Sequence, residues 1–181
     1  MAHFEKKLES KEIFQGRVIR VTLDKVELEN GRTSSREVVH HHGGAGIVAL
    51  NEKGEVYLVR QYRYALDREL IEIPAGKLEA GEDPFEAAKR ELGEEAGLQA
   101  DTYVDLSPMI PTCGYCSEII YLYAAKDLHP VGQHLDEDEF LSVFTLPLEQ
   151  AVEKVLSGEI VDGKTCTALL KLKALRDAGR F

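Results

Sequence analysis

The stretch from Gly76 to Leu98 constrains this chain more than any other. Asp83-Pro84 is a strong helix start, since Asp caps free backbone N–H groups and Pro suits the first helical position. Gly97 is a strong stop, because glycine turns left-handed without steric cost. A helix of three to four turns is predicted between them. On it Glu91, Glu94 and Glu95 stand at i, i+3 and i+4, so their carboxylates share one face. Like charges at this spacing repel by about 1 kcal/mol per pair in water, and by several times that near a protein surface. Arg90 can pair with Glu94 one turn on, but one cation does not neutralise three acids. A hard divalent cation would, and carboxylate oxygens are its preferred ligands.

A solvated acidic face is the alternative for any Glu-rich helix. Two features argue against it. Phe85, Ala88 and Leu92 give the same helix an apolar stripe to dock, and a glycine-containing loop precedes it. Gly93 sits mid-helix, where glycine costs about 1 kcal/mol relative to alanine. Its presence predicts a close neighbour at that turn.

With these residues in view, the segment resembles the Nudix box, Gly-x5-Glu-x7-Arg-Glu-U-x-Glu-Glu-x-Gly-U, where U is a bulky aliphatic. Gly76, Glu82, Arg90, Glu91, Leu92, Glu94, Glu95, Gly97 and Leu98 fill every fixed position. The resemblance implies an α/β fold, an α/β/α sandwich around a mixed sheet, and hydrolysis of nucleoside diphosphates linked to another moiety. It implies a divalent metal, Mg2+ with Mn2+ as the alternative, held by Glu91, Glu95, nearby Glu94 and the Ala75 carbonyl. Mg2+ characteristically keeps several waters that a substrate can displace.

The 181 residues, 44% of them hydrophobic, suffice for a domain with a proper core. No apolar run reaches the length of a membrane span, Met1–Glu12 lacks the apolar centre of a signal peptide, and three cysteines suggest no disulfide framework. A cytoplasmic protein without a membrane partner is expected. The net charge of −10 argues against a nucleic-acid partner, whose phosphates call for basic contacts. An acidic protein attracts a small pyrophosphate only through local arginines or bridging metals.

In chain order, residues 4–42 read as an antiparallel β meander: Phe14–Leu28 is extended, Asn30-Gly31 is a tight turn, and Thr33–His40 returns. Residues 1–42 are taken as an N-terminal region and 43–181 as the main domain. The run His40-His41-His42 reads as a polar strand end, because neighbouring strand residues face opposite ways. Gly43–Gly46 reads as a loop without the lysine of a Walker motif. Short strands follow at 47–50, 56–63, 70–74, 103–110, 119–125 and 141–146, and helices at 148–157 and 164–178. Cys113-x-x-Cys116 lacks two further ligands for zinc and lacks the helix start of a redox pair.

Outside the box, the meander, Val59–Arg63 followed by Glu72-Ile73-Pro74-Ala75-Gly76, and Pro111–Glu118 resemble the ADP-ribose pyrophosphatase branch, with Cys113 where that loop usually has proline. The acidic loop Leu135–Phe140 is similar to one that supplies a further catalytic glutamate, making Glu139 and Glu137 candidates for positioning or deprotonating the water. Arg90 is expected to orient Glu94 or Glu82. Arg63 is a candidate phosphate ligand, since a guanidinium fork matches phosphate oxygens. Glu72 is a candidate for holding a substrate amine or hydroxyl, or for capping the loop. The branch implies a homodimer in which Phe14, Arg17 and Val39 contribute to the partner's nucleoside site, and cleavage of ADP-ribose to AMP and ribose 5-phosphate. Another nucleoside diphosphate derivative, or a non-catalytic nucleotide sensor, are the alternatives.

Overall fold

The computed structural model of the chain describes residues 3–135 and 139–181. The chain divides into two compact units, Met1–Gly43 with Ile110–Ile119, and Gly44–Met109 with Ile120–Phe181.

The first unit is built on a three-stranded antiparallel sheet of β1 (Lys6–Gln15), β2 (Ile19–Glu27) and β3 (Thr33–His41), in that order. The turn at Asn30-Gly31 forms as expected, with Gly31 at φ +77 and its N–H donating to the Leu28 carbonyl. The single extended run expected over Phe14–Leu28 is two strands, broken around Gly16–Val18. β1 carries the charged sequence KKLESKEIFQ and is exposed throughout, so no alternation marks it. The segment 110–119 is held by backbone bonds: Val39 N–H donates to the Tyr115 carbonyl and Ser117 N–H to the Val39 carbonyl.

The second unit is an α/β/α arrangement. Its four-stranded sheet runs in the order β7 (Ala75–Lys77), β4 (Gly44–Ala49), β9 (Ile120–Pro130), β8 (Leu98–Asp105). The β4–β9 pair is parallel and the others antiparallel, so the sheet is mixed. A second sheet holds β10 (Leu141–Pro147), β5 (Glu55–Arg63) and β6 (Arg68–Glu72). Along β4, Ala45, Ile47 and Ala49 pack with Ala87, Ala88 and Leu92 of α1 (Pro84–Ala96). Val48 and Leu50 join the core formed with α2 (Leu148–Leu156) and α3 (Gly163–Asp177). Residues alternating along one buried strand thus serve two helical layers.

Several strand boundaries differ from expectation, among them the end of β9, which runs on to Pro130. Gly44–Gly46 belongs to β4 rather than to a loop. There a Cβ on Gly44 would lie 2.8 Å from the Gly76 carbonyl oxygen, so glycine is what lets β7 pair so closely. β8 begins at Leu98, immediately after the left-handed Gly97, rather than at Tyr103. β6 ends at Glu72, and β7 starts after the Ile73-Pro74 step.

Candidate active site

Helix α1 starts and stops where its caps dictate. Asp83 accepts hydrogen bonds from the N–H groups of Phe85 and Glu86, and Gly97 is left-handed at φ 66. Ala88 and Leu92 are fully buried, and the Phe85 ring meets Tyr103 edge-on at 5.2 Å. Docking this stripe carries Glu91 and Glu95 inward, to 6% and 2% exposure.

Those two carboxyls have few partners for buried acids. Glu95 accepts one bond from the Ala75 N–H at 2.9 Å, which ties Ala75 directly to the helix. Glu91 accepts one from Arg90 Nη1 at 2.8 Å. Its carboxyl lies against Gly76, where a Cβ would come within 1.9 Å of Oε1. Burial pushes Glu91 up to about 7 and Glu95 up to about 8, and the nearby charge of Glu139 adds to both shifts. Half-buried Glu139 therefore stands within electrostatic reach of the pair. Glu137 lies outside the described residues.

Arg90 ties the remaining box acids together. Nε and Nη2 donate to Glu82 at 2.9 and 3.0 Å, and Nη1 donates to Glu94 at 2.8 Å as well as to Glu91. It touches both Glu82 and Glu94, and the guanidinium holds the Glu82 carboxyl below its ordinary value. Gly93, expected to face a close neighbour, has only the Leu98 carbonyl oxygen 3.9 Å from where a Cβ would be. That is ordinary contact, so the tight glycine of the site is Gly76.

A second cluster adjoins β6. Arg63 donates Nε and Nη2 to the two oxygens of Glu72, both at 2.6 Å. Glu72 is 1% exposed and also pairs with Lys164. Its oxygens thus already accept from two cations of the chain itself. Lys164 escaped the sequence reading. Its signal was a cation in the first turn of a helix, where the dipole disfavours positive charge.

The remaining candidates lie in the first unit. Phe14 is half exposed, Arg17 is exposed, and Val39 is half-buried in β3. Arg17 lines a cavity of about 200 Å3 together with Arg20 and His40–His42. His40 Nε2 lies 3.0 Å from Thr22 Oγ1, and His41 Nδ1 accepts the Gly43 N–H at 3.0 Å, so both imidazoles have partners within the first unit. Cys113, Cys116 and Cys166 are free thiols.

The donor set near α1 suits a hard divalent cation: two buried carboxyls with Glu94 beside them, three acids sharing one nearby guanidinium, Arg90. Among the described residues no three His, Cys, Asp or Glu side chains form a complete cage. Two carboxylates completed by waters and substrate phosphates is the usual manner of Mg2+. No helix among the described residues is long and apolar enough to cross a membrane.

Residues 40–165 match the NUDIX domain, and residues 5–39 match the nucleoside diphosphate sugar hydrolase N-terminal domain. The chain is 41% identical to the methanol dehydrogenase activator of Bacillus methanolicus over 93% of this chain and 92% of that protein. It is 39% identical to the ADP-ribose pyrophosphatase of Bacillus subtilis over the same shares. A crystal structure of an ADP compounds hydrolase superposes at a TM-score of 0.84, with 23% identity, over 98% of this chain and 97% of that one, which shows the fold. A match over most of the chain, with every fixed position of the box filled between Gly76 and Leu98, establishes that the chain belongs to the Nudix hydrolase family, as a pyrophosphohydrolase of that family.

Proposed function

We propose that this enzyme hydrolyses the pyrophosphate bond of ADP-ribose to AMP and ribose 5-phosphate. The observation that carries the proposal is the Glu91–Glu95 pair, buried against Gly76 and the Ala75 N–H. The similarity to an ADP-ribose pyrophosphatase over 93% of the chain supports the choice of substrate. Glu91 and Glu95, with Glu94 and the Ala75 carbonyl, would hold Mg2+ or Mn2+, which acidifies water and neutralises developing phosphate charge. Arg90 keeps Glu82, Glu91 and Glu94 in register. Arg63, its side chain 39% exposed, binds phosphate oxygens with the guanidinium edge that Glu72 leaves free. Glu139, or Glu137 in its place, positions or deprotonates the attacking water.

The N-terminal region, residues 1–42, serves as dimerisation sheet and as part of the nucleoside pocket. Phe4, Leu8, Ile13 and Phe14 are exposed on or beside a fully exposed edge strand. Such a surface is commonly buried in a two-fold dimer. Phe14, Arg17 and Val39 are the residues of that sheet proposed to reach the partner's nucleoside. With its net charge of −10, the enzyme acts on a free nucleotide in the cytoplasm rather than on nucleic acid.

One observation favours a second reading, a nucleoside diphosphate sugar as substrate: the N-terminal match to a nucleoside diphosphate sugar hydrolase. Specificity constants with Mg2+ for ADP-ribose, ADP-glucose, GDP-mannose and a dinucleoside diphosphate decide between them. ADP-ribose is expected to give the highest value. A clearly higher value for another compound moves the assignment to that substrate, and binding without turnover of any of them would make the chain a sensor.

A further inference from the structure

The β5–β6 register sets Arg63 and Glu72 on one face of their sheet, because Glu72 pairs with Val59 and Arg63 lies two alternations further along. Arg63 reaches back and locks its fork on both carboxylate oxygens at 2.6 Å. The same carboxylate receives Lys164 through Oε2. Lys164 Nζ also donates to Asp162 Oδ2 at 3.0 Å, the oxygen that accepts the Thr165 N–H at 3.1 Å and Oγ1–H at 2.5 Å. Thr165 Oγ1 in turn accepts the Ile73 N–H at 2.9 Å. This chain of contacts fastens the start of α3 to the end of β6, three residues before Ala75.

Lys164 occupies an expensive place. It is 9% exposed and sits in the first turn of α3, at the positive end of the helix dipole. Buried ion pairs add little stability over a well-packed apolar pair. What Lys164 adds is direction. By fixing Oε2 of Glu72 it sets the plane of the carboxylate, and that plane sets the plane of the Arg63 guanidinium. Lys164 and Arg63 also share the electrostatic neighbourhood of Glu95.

We infer that Lys164 is a positioning residue that acts through Glu72 to aim the exposed edge of Arg63 at the phosphates of a nucleoside diphosphate. The inference rests on the reading of Arg63 as a phosphate ligand, and it adds a residue 92 positions from Glu72 in sequence to the substrate-binding apparatus.

The test is calorimetric titration of ADP, with Mg2+ present, into the full chain and its Arg63→Ala, Lys164→Met and double variants. Each single variant is expected to bind ADP about tenfold more weakly, as for one lost charge-assisted contact. The double variant is expected to bind no more weakly than Arg63→Ala alone, because both changes remove the same contact. In turnover of the best substrate, Lys164→Met raises KM about tenfold and changes kcat by less than about threefold, the pattern of lost binding common to ground and transition states. A purely structural lysine would lower Tm and leave the coupling with Arg63 absent. If Lys164→Met does not fold, Glu72→Gln keeps the shape, removes the shared charge, and is expected to show the same weakening and the same non-additivity with Arg63→Ala. Additive losses, wild-type ADP affinity in Lys164→Met or its substitute, or a wild-type chain that binds ADP no better than Arg63→Ala, each overturns the inference. ADP lacks the terminal ribose, so a failure to hydrolyse ADP-ribose would bear on the proposed substrate and not on this coupling.

Discussion

Gly76→Ala puts a methyl group where the carboxyl of Glu91 already sits. The new Cβ would stand 1.9 Å from Oε1, 2.3 Å from Cδ and 2.7 Å from Oε2. Ordinary contact begins near 3.4 Å, so the carboxyl must withdraw by about 1.5 Å. The cost to folding is small. Gly76 lies outside the left-handed region, so alanine fits its backbone and gains about 0.4–1 kcal/mol by restricting the unfolded chain. Losing the bond from Arg90 removes about 1 kcal/mol, which nearly cancels that gain. The cost to catalysis is large, since a displacement of about 1 Å at a reacting centre lowers rates on the order of a hundredfold. Thermal melts are expected to place Gly76→Ala within a few degrees of wild type, while kcat/KM at saturating Mg2+ falls by about a hundredfold or more. Gly93→Ala is the control on the same helix, with clearance of 3.9 Å. It is expected to raise stability by up to about 1 kcal/mol and to leave kcat/KM unchanged. Gly76→Ala with near-normal activity and a normal melt would refute the claim that the Glu91 carboxyl must occupy that spot.

Glu95→Gln keeps the side chain's shape and removes its charge. A loss in kcat of at least about a hundredfold with the fold intact is expected, and near-normal turnover at saturating Mg2+ would remove Glu95 from the metal ligands. Glu91 and Glu95 titrate at about 7 and about 8, above their ordinary 4.5, so the folded metal-free chain holds more protons than the unfolded one between those values. The stability this linkage contributes is full below pH 4.5 and is lost as pH rises through 7 and 8. The metal-free Tm should therefore fall as pH rises from about 4.5 to about 8 while the stabilisation by added Mg2+ grows, and a Mg2+ effect flat across that window would contradict the pair as its site. Light scattering at micromolar concentration should give about twice the chain mass, and deletion of residues 1–42 should yield monomer or aggregate with weakened substrate binding. A full-length monomer that hydrolyses ADP-ribose normally would contradict the proposed dimer.

What could be read from the sequence was local. Asp83, Pro84 and Gly97 act within a turn of their own positions, so both ends of α1 were legible, as were the shared face of Glu91 and Glu95 and the turn at Asn30-Gly31. Long-range contact was not. Glu72 read as an acid in an apolar strand with a free role, because Lys164, its partner, comes from the other end of the domain. Gly93 and Gly76 could not be ranked, since only packing shows that a carboxyl lies against one and little against the other. β1 was missed as a separate strand because an exposed strand carries no alternation to reveal it.

The bond that breaks decides whether this chain is an ADP-ribose pyrophosphatase. The measurement is product analysis of ADP-ribose incubated with the full chain, with Mg2+, with a chelator, and with Mg2+ restored. AMP and ribose 5-phosphate are expected in equal amounts, and only when the metal is present. Release of ADP and free ribose, or cleavage at an undiminished rate in the chelator, would contradict that assignment.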